Sequence, residues 1–175
     1  CKRRTTACFR RDCNNLADLL ESNCGRGYYD YPLFDAAPTV WSDASKSKNY
    51  TGGGYVSECG RYDFWKYGSA AARKPIDELE ADAVLRAAQA RGHTWRGRRV
   101  PVHIDNTAFQ LSLAKGWSRA PRLTRVIKQL YKLSAVHDFV LVPLRITSGD
   151  NEGADALSRG DMQRYAEWAT SHAAV

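Results

Sequence analysis

Two acidic residues stand near the carboxyl ends of segments that otherwise have the pattern of buried strands. Asp43 interrupts the apolar segment TVWSDAS at 39–45, and Asp105 ends the segment VPVHID. Burying a lone carboxylate is strongly unfavourable unless it is paired or bound to a metal. Open α/β sheets place their sites at the carboxyl ends of strands, so both residues are candidates for one shared site. The alternative for Asp105 is capping of the helix that follows it.

A third acid is predicted to point at the sheet from a helix. In PIDELEADAVLRAAQA, at about 100° per residue, Glu80 lies within the apolar arc that contains Ile76 and Leu79. Glu78 and Asp82 fall on the opposite side and are predicted to be surface charges. A structural ion pair with an arginine is the alternative explanation for Glu80.

A fourth acid, Asp155, stands in SGDNEGADALSRG among the small residues Gly153, Ala154 and Ala156. Small residues would let this predicted helix approach the sheet edge closely. The alternative for Asp155 is an acid in the first turn of a helix, stabilised by the helix dipole.

These four acids could converge on one edge of one sheet. Four carboxylates that close together would repel one another and raise each other's pKa. Divalent cations remove that repulsion, and hard oxygen ligands favour one or two Mg²⁺ ions. Two such ions about 4 Å apart can activate a water molecule and stabilise the leaving oxygen of a phosphodiester. Alternation along the first strand also places Trp41 on the same face as Asp43.

The elements that must position these acids follow the order β-β-β-α-β-α-α-β-α, with a final helix. The pattern predicts an α/β fold with a mixed five-stranded sheet, three antiparallel strands followed by parallel ones, flanked by helices. The nearly continuous apolar run FVLVPLRIT predicts a last strand that is covered on both faces. The predicted strands are TVWSDAS, GYVSE, YDFWKYG, RRVPVHIDN and FVLVPLRIT, and the predicted helices are PIDELEADAVLRAAQA, TAFQLSLAKG, APRLTRVIKQLYKLSAVHD, EGADALSRG and MQRYAEWATSHA.

The chain divides into a basic N-terminal helix and linker at 1–38 and a main domain at 39–175. Because the sequence begins with Cys1, we expect it to be cut from a longer chain. The five cysteines form neither an even set nor the close pairs of a zinc site, so we interpret them as reduced intracellular thiols with a weak chance of metal contact. They are Cys1, Cys8, Cys13, Cys24 and Cys59.

Lysine and arginine number 26 against 19 acidic residues, which gives a net charge of +7. This excess favours a polyanionic partner, although a basic soluble protein fits equally well. No apolar run is long enough to span a membrane, and no secretory leader is visible. We therefore expect an intracellular protein, in the cytoplasm or nucleus, and the oligomeric state stays open.

The segments WSDAS…GGGYV, IDELEADAV, VHIDNTA and NEGADALSR, in this order, resemble the ribonuclease H domain of retroelement reverse transcriptases. The ending N-x-x-A-D-A-L-S-R and the DN-T-A motif are especially similar to LTR-type and DIRS-type (tyrosine-recombinase) elements. The resemblance covers Thr39 to Asp161. It implies a ribonuclease H-like fold and a metal-dependent endonuclease that cuts the RNA strand of RNA–DNA hybrids. It also implies that 1–38 is the tether from a polymerase region of the same polyprotein.

By motif position, the resemblance implies that Asp43, Glu80, Asp105 and Asp155 are the catalytic acids and bind two Mg²⁺ ions, with Mn²⁺ as a substitute. Asn151 matches the family's asparagine before the last acid and is expected to brace that turn. Relatives often have a histidine at the end of the last strand or in the loop after it. Here Arg145 takes that place and TSGDNEG contains no histidine; a role for Asp150 is not assigned.

Candidate substrate contacts lie in HTWRGRR, KGWSRAPRLTR and beside the acids. A hybrid is read through its backbone, groove shape and 2′-hydroxyls, and arginines on solvated helix faces are the alternative in each case. Gly52, Gly53 and Gly54 would let the backbone approach the strand being cut. The substrate-binding candidates are Ser45, Asn106, Asn151, Arg96, Arg98, Arg119 and Arg122.

Two further interpretations stay open. One is a ribonuclease H-like module that has lost its chemistry and is kept for nucleic-acid or protein binding. The other is an integrase or exonuclease of the same superfamily that acts on DNA.

Overall fold

The computed structural model describes 10–14, 16–17 and 37–172. A five-stranded sheet has the order β3-β2-β1-β4-β5. The first three strands form an antiparallel meander, and β4 and β5 continue the sheet in parallel with β1. The strands are β1 (Val40–Lys46), β2 (Thr51–Ser57), β3 (Tyr62–Lys66), β4 (Arg98–Ile104) and β5 (Phe139–Arg145). The predicted α/β fold with its mixed sheet is confirmed.

Helices cover both faces of this sheet. Residues of α2 and α4 share the main core with Val40, Val100 and Val102 of the strands. On the opposite face, α5 and α6 pack with Val56 and Trp41. Among the helices of 37–172, the short α1 alone was not predicted. The helices are α1 (Ser69–Ala72), α2 (Ile76–Arg91), α3 (Thr107–Lys115), α4 (Pro121–His137), α5 (Glu152–Arg159) and α6 (Met162–His172), with a 3-10 turn at Gly92–Thr94.

The three glycines of β2 make room for neighbouring elements of the protein. A Cβ at Gly54 would lie 2.5 Å from the Cβ of Leu157, and one at Gly52 would lie 2.4 Å from the carbonyl oxygen of Ser158. On the other face, a Cβ at Gly53 would lie 2.7 Å from the ring of Trp65. The expectation that these glycines admit the strand being cut is therefore wrong, because α5 and Trp65 already fill that space.

β5 is an edge strand, and the prediction that both its faces are covered is wrong. Val140 is 37% exposed and Leu144 is 39% exposed. Pro143 has no backbone N–H and is suited to an edge position. An apolar cleft of about 320 Å³ lies between β5 and the helices α3 and α4. The apolar run arose because β5 contributes to the core and also lines this cleft.

The first turn of α2 is buried differently from the prediction. Ile76 is 39% exposed, whereas Glu78 is only 9% exposed and pairs with Lys74 at 2.8 Å. The helix packs against α4 as well as the sheet, and Arg122 of α4 pairs with Asp77 at 2.6 Å. A helix covered on two sides buries a wider arc than the single stripe assumed from the sequence.

Part of the N-terminal segment lies beside the main domain. Positions 10–14 and 16–17 are helical, and Asp12 forms an ion pair with Lys128 of α4. Cys13 and Cys59 are unbridged and exposed, whereas Cys1, Cys8 and Cys24 lie outside the described residues. Within the part of the chain that the structure describes, no helix has both the length and the apolar character needed to cross a membrane.

Candidate active site

Three carboxylates meet at one edge of the sheet. One oxygen from each of Asp43, Glu80 and Asp105 lies within 4.8 Å of the others. β1 pairs with β4 in the register Val40↔Val102, which, continued by three residues, sets Asp43 opposite Asp105. Glu80 reaches the same place from the second turn of α2. The predicted convergence of these three acids is present in the structure.

The cluster is electrostatically costly as it stands. Burial, with smaller contributions from Asp105 and Asp155, raises the pKa of Asp43 from 3.8 to about 6. Burial also raises the pKa of Glu80 from 4.5 to about 7, with Asp105 and Asp43 adding to the effect. No lysine or arginine in the described ranges forms an ion pair with any of the three carboxylates. Compact, half-buried oxygen donors without a cationic side chain fit a hard divalent cation.

Asn106 connects the cluster to α3. Its Nδ2 donates to Oε2 of Glu80 at 2.6 Å, and its Oδ1 accepts from the backbone N–H of Phe109 at 3.0 Å. The helix cap is therefore Asn106, so capping does not explain Asp105. Asn106 was predicted to bond a sugar hydroxyl, but its oxygen and one of its two amide protons are already used within the protein.

The loop after β5 supplies a further contact that sequence reasoning missed. The hydroxyl of Ser148 donates to Oδ2 of Asp105 at 3.2 Å. The unassigned Asp150 accepts from the hydroxyl of Thr147 and belongs to the turn 147–150. A serine among turn residues carries no signal of this role in the sequence.

Asp155 does not join the three-carboxylate cluster. Its two oxygens accept from Arg159 Nε and Arg164 Nη1, both at 2.8 Å. It is still near enough to raise the pKa of Asp43. The expectation that all four acids converge is therefore correct for three residues, and the fourth stands beside them in ion pairs that the sequence analysis did not consider.

Trp41 lies on the same face as Asp43, as predicted. Its ring stacks on His103 with centroids 5.5 Å apart and meets Trp168 edge-on at 6.4 Å. Gly153 lies directly under Trp168, since a Cβ there would approach the indole to 2.7 Å. Gly153 thus allows α6 to pack closely on α5, whereas the prediction concerned the approach of α5 to the sheet.

Two polar candidates for substrate contact are engaged inside the protein. Asn151 is 1% exposed and donates from Nδ2 to the carbonyl of Ser42, so it braces α5 against β1 as expected and is not retained as a substrate contact. The hydroxyl of Ser45 donates to the carbonyl of Ser158 at 2.7 Å. Both residues hold α5 against the strand that carries Asp43.

The arginine candidates separate by position. Arg98 begins β4, about 23 Å along the strand from Asp105, and Arg96 precedes that strand, so neither is a contact at the cluster. Arg122 pairs with Asp77 and is largely compensated. Arg119 is exposed in the loop between α3 and α4, next to Trp117, which is 55% exposed. Arg119, like Arg96 and Arg98, is exposed and forms no ion pair with another described residue.

The sequence matches no protein-family model and no curated protein. Solved structures do match. RNase H1 from the archaeon Halobacterium salinarum aligns with a TM-score of 0.56 and 20% identity, over 72% of this chain and 97% of that chain. The N-terminal RNase H domain of a Mycobacterium tuberculosis protein aligns with a TM-score of 0.58 and 16% identity, over 76% of this chain and 99% of that chain. LC11-RNase H1 from compost, solved with an RNA/DNA hybrid, aligns with a TM-score of 0.56 and 19% identity, over 69% of this chain and 93% of that chain. The chain therefore has the ribonuclease H fold.

Proposed function

We propose that this protein is a divalent-metal-dependent ribonuclease H that hydrolyses the RNA strand of RNA–DNA hybrids. The observation that carries the proposal is the cluster of Asp43, Glu80 and Asp105, whose oxygens lie within 4.8 Å of one another without a cationic partner in the described chain. The same fold in an enzyme solved with an RNA/DNA hybrid supports the choice of substrate.

Each residue has a definite part in the proposed site. Asp43, Glu80 and Asp105 hold Mg²⁺, with Mn²⁺ as a substitute, and Asp155 joins the site of a second ion. Ions bound there would supply an activated water and stabilise charge on the leaving oxygen. Asn106 fixes the carboxylate of Glu80, and Ser148 orients that of Asp105.

The substrate and the wider context follow from charge and from the sequence motifs. A net charge of +7 favours binding of a polyanionic substrate. Arg119 could contact its phosphates, and the exposed ring of Trp117 could stack on a base. We place the domain in a retroelement reverse transcriptase on the resemblance of NEGADALSR and VHIDNTA. In that context, 1–38 is the tether to a polymerase region of the same intracellular polyprotein.

The direct test is cleavage of a hybrid whose RNA strand is labelled, in Mg²⁺ and in EDTA, with duplex DNA and duplex RNA as parallel substrates. We expect cutting of the hybrid RNA alone, only with Mg²⁺, and none by Asp105→Asn, which removes a metal ligand while preserving the fold. Cutting of duplex DNA would favour an integrase or exonuclease. A folded protein that binds the hybrid and never cuts it would refute the proposal.

A second candidate is a binding module with weak or lost chemistry. It is favoured by Arg145, which stands at the end of β5 where relatives carry a histidine, and which pairs in register with Ile104 beside Asp105. A metal titration separates the two candidates, because an abandoned site is expected to bind the hybrid without binding a divalent cation.

A further inference from the structure

The hydroxyl of Ser158 is buried in the wall of the proposed metal site. Ser158 is 0% exposed, and its Oγ lies 2.6 Å from Oδ2 of Asp43 and 2.9 Å from the carbonyl oxygen of Asp155. A hydroxyl has one hydrogen to donate. The shorter distance, to an anionic acceptor, is typical of a charge-assisted O–H···O⁻ bond. We therefore assign the hydrogen to Asp43.

The backbone of Ser158 is held independently of its side chain. Its carbonyl accepts from the hydroxyl of Ser45 at 2.7 Å, two residues along β1 from Asp43. Its backbone nitrogen lies against Gly54, where an added Cβ would approach it to 3.1 Å. Because strand and helix are joined in this way, the hydroxyl cannot shift far from the carboxylate, and a change of the side chain leaves these contacts in place.

We infer that Ser158 is a positioning residue of Asp43, which, with the backbone N–H of Ala44, fixes the rotation of its carboxylate so that the metal-binding oxygen faces Glu80 and Asp105. This inference rests on the proposed function, since it concerns the same cation site. Partners that hydrogen-bond a metal ligand orient it toward the ion, and their loss typically weakens metal affinity or activity about 10- to 100-fold. Asp155 cannot substitute for Ser158, because a carboxylate paired with two arginines is ionised and has no hydrogen to donate to Asp43.

The test compares Mn²⁺ affinity of the full chain, measured by isothermal titration, for wild type, Ser158→Ala and Ser158→Thr. We expect Ser158→Ala to weaken Mn²⁺ binding about tenfold. We expect kcat on the hybrid to fall at fixed Mn²⁺ while KM for the hybrid stays unchanged. Ser158→Thr keeps the hydroxyl and should restore both. Ser134→Ala removes another buried serine hydroxyl, from α4, and should leave Mn²⁺ affinity unchanged.

The outcomes distinguish this inference from the proposed function. Wild-type protein that binds no Mn²⁺ overturns both. Wild-type binding and cutting, with unchanged Mn²⁺ affinity in Ser158→Ala, overturns the inference alone. If Ser158→Ala does not fold by circular dichroism, Ser158→Cys decides the question, since a thiol of similar size is a weaker donor. Weakened Mn²⁺ binding by that variant supports the inference, and wild-type affinity contradicts it.

Discussion

Asn106 holds Glu80 and caps α3 with the same side-chain amide. Its Nδ2 lies 2.6 Å from Oε2 of Glu80, and its Oδ1 accepts from the N–H of Phe109. The residue after Asp105 therefore ties an acid on α2 to the start of α3. The position of Glu80 depends on how α3 begins.

Asn106→Ala should affect stability and cutting together. We expect the free energy of unfolding to fall by about 1 kcal/mol through loss of the cap, measured by urea denaturation. Cleavage of the hybrid should fall further than that destabilisation explains, because Glu80 loses its donor. Thr94→Ala removes a hydrogen bond at the far end of α2 and serves as control. Equal residual cutting by the two variants would contradict the role of Asn106.

Gly54→Ala should displace α5 from the sheet. The new Cβ would lie 2.5 Å from the Cβ of Leu157, and overpacking of this kind costs about 1–3 kcal/mol. Gly68→Ala is the matched control, since nothing lies within 4 Å of its Cβ, and its stability should stay within about 0.5 kcal/mol of wild type. Equal unfolding free energies for the two variants would show that the glycines of β2 are not packing positions.

The raised pKa values of Asp43 and Glu80, about 6 and about 7, predict a particular pH dependence. In metal-free protein the folded state binds these protons more tightly than the unfolded state does. The contribution of Asp43 and Glu80 to the free energy of unfolding therefore falls as pH rises from about 4 to about 7. Asp43→Asn should therefore be stabilised relative to wild type in EDTA, increasingly so toward pH 7.

Added Mg²⁺ should show the opposite trend in wild type, because the cation competes with protons for the same oxygens. The increase in melting temperature caused by Mg²⁺ should grow as pH rises across that window, and Asp43→Asn should lose most of it. Differential scanning fluorimetry at several pH values measures both effects. A Mg²⁺ effect that does not vary with pH would contradict the assignment of the cluster as the cation site.

Asp155→Asn should weaken binding of the first cation much less than Asp105→Asn does. Asp155 lies outside the three-carboxylate cluster, and both its oxygens accept from arginines. Mn²⁺ titration of the two variants provides the comparison. Equal losses of affinity would show that Asp155 leaves its arginines and joins the first ion.

Sequence patterns predicted the residues whose position depends on local periodicity and strand order. Asp105 follows from its place at the end of β4, and Glu80 from its angle on α2. Asp43 was placed near a strand end as well, but β1 continues to Lys46, and Asp43 reaches the site from the middle of that strand. Trp41 follows from alternation along β1. In each case the deciding geometry is the repeat of a single element or the meeting of parallel strand ends.

The errors and omissions arise where two elements meet. Glu78 is buried because α4 covers the side of α2 that a one-face pattern leaves to solvent. Ser158 reaches Asp43 only because glycines on β2 let α5 approach, and these residues are distant in sequence. The ion pair of Asp155 with Arg164 likewise depends on how α6 lies against α5, whereas its pair with Arg159 is an i,i+4 pair within α5.

The most direct test of the central claim is a crystal grown with Mn²⁺, in which anomalous scattering locates the ion independently of the protein. We predict a peak bound by one oxygen each of Asp43, Glu80 and Asp105, at distances of about 2.0–2.3 Å typical of hard cations and carboxylates. The peak should be absent in Asp105→Asn crystals grown in the same way. A well-ordered wild-type cluster without an anomalous peak at saturating Mn²⁺ would contradict the metal site and the catalytic role built on it.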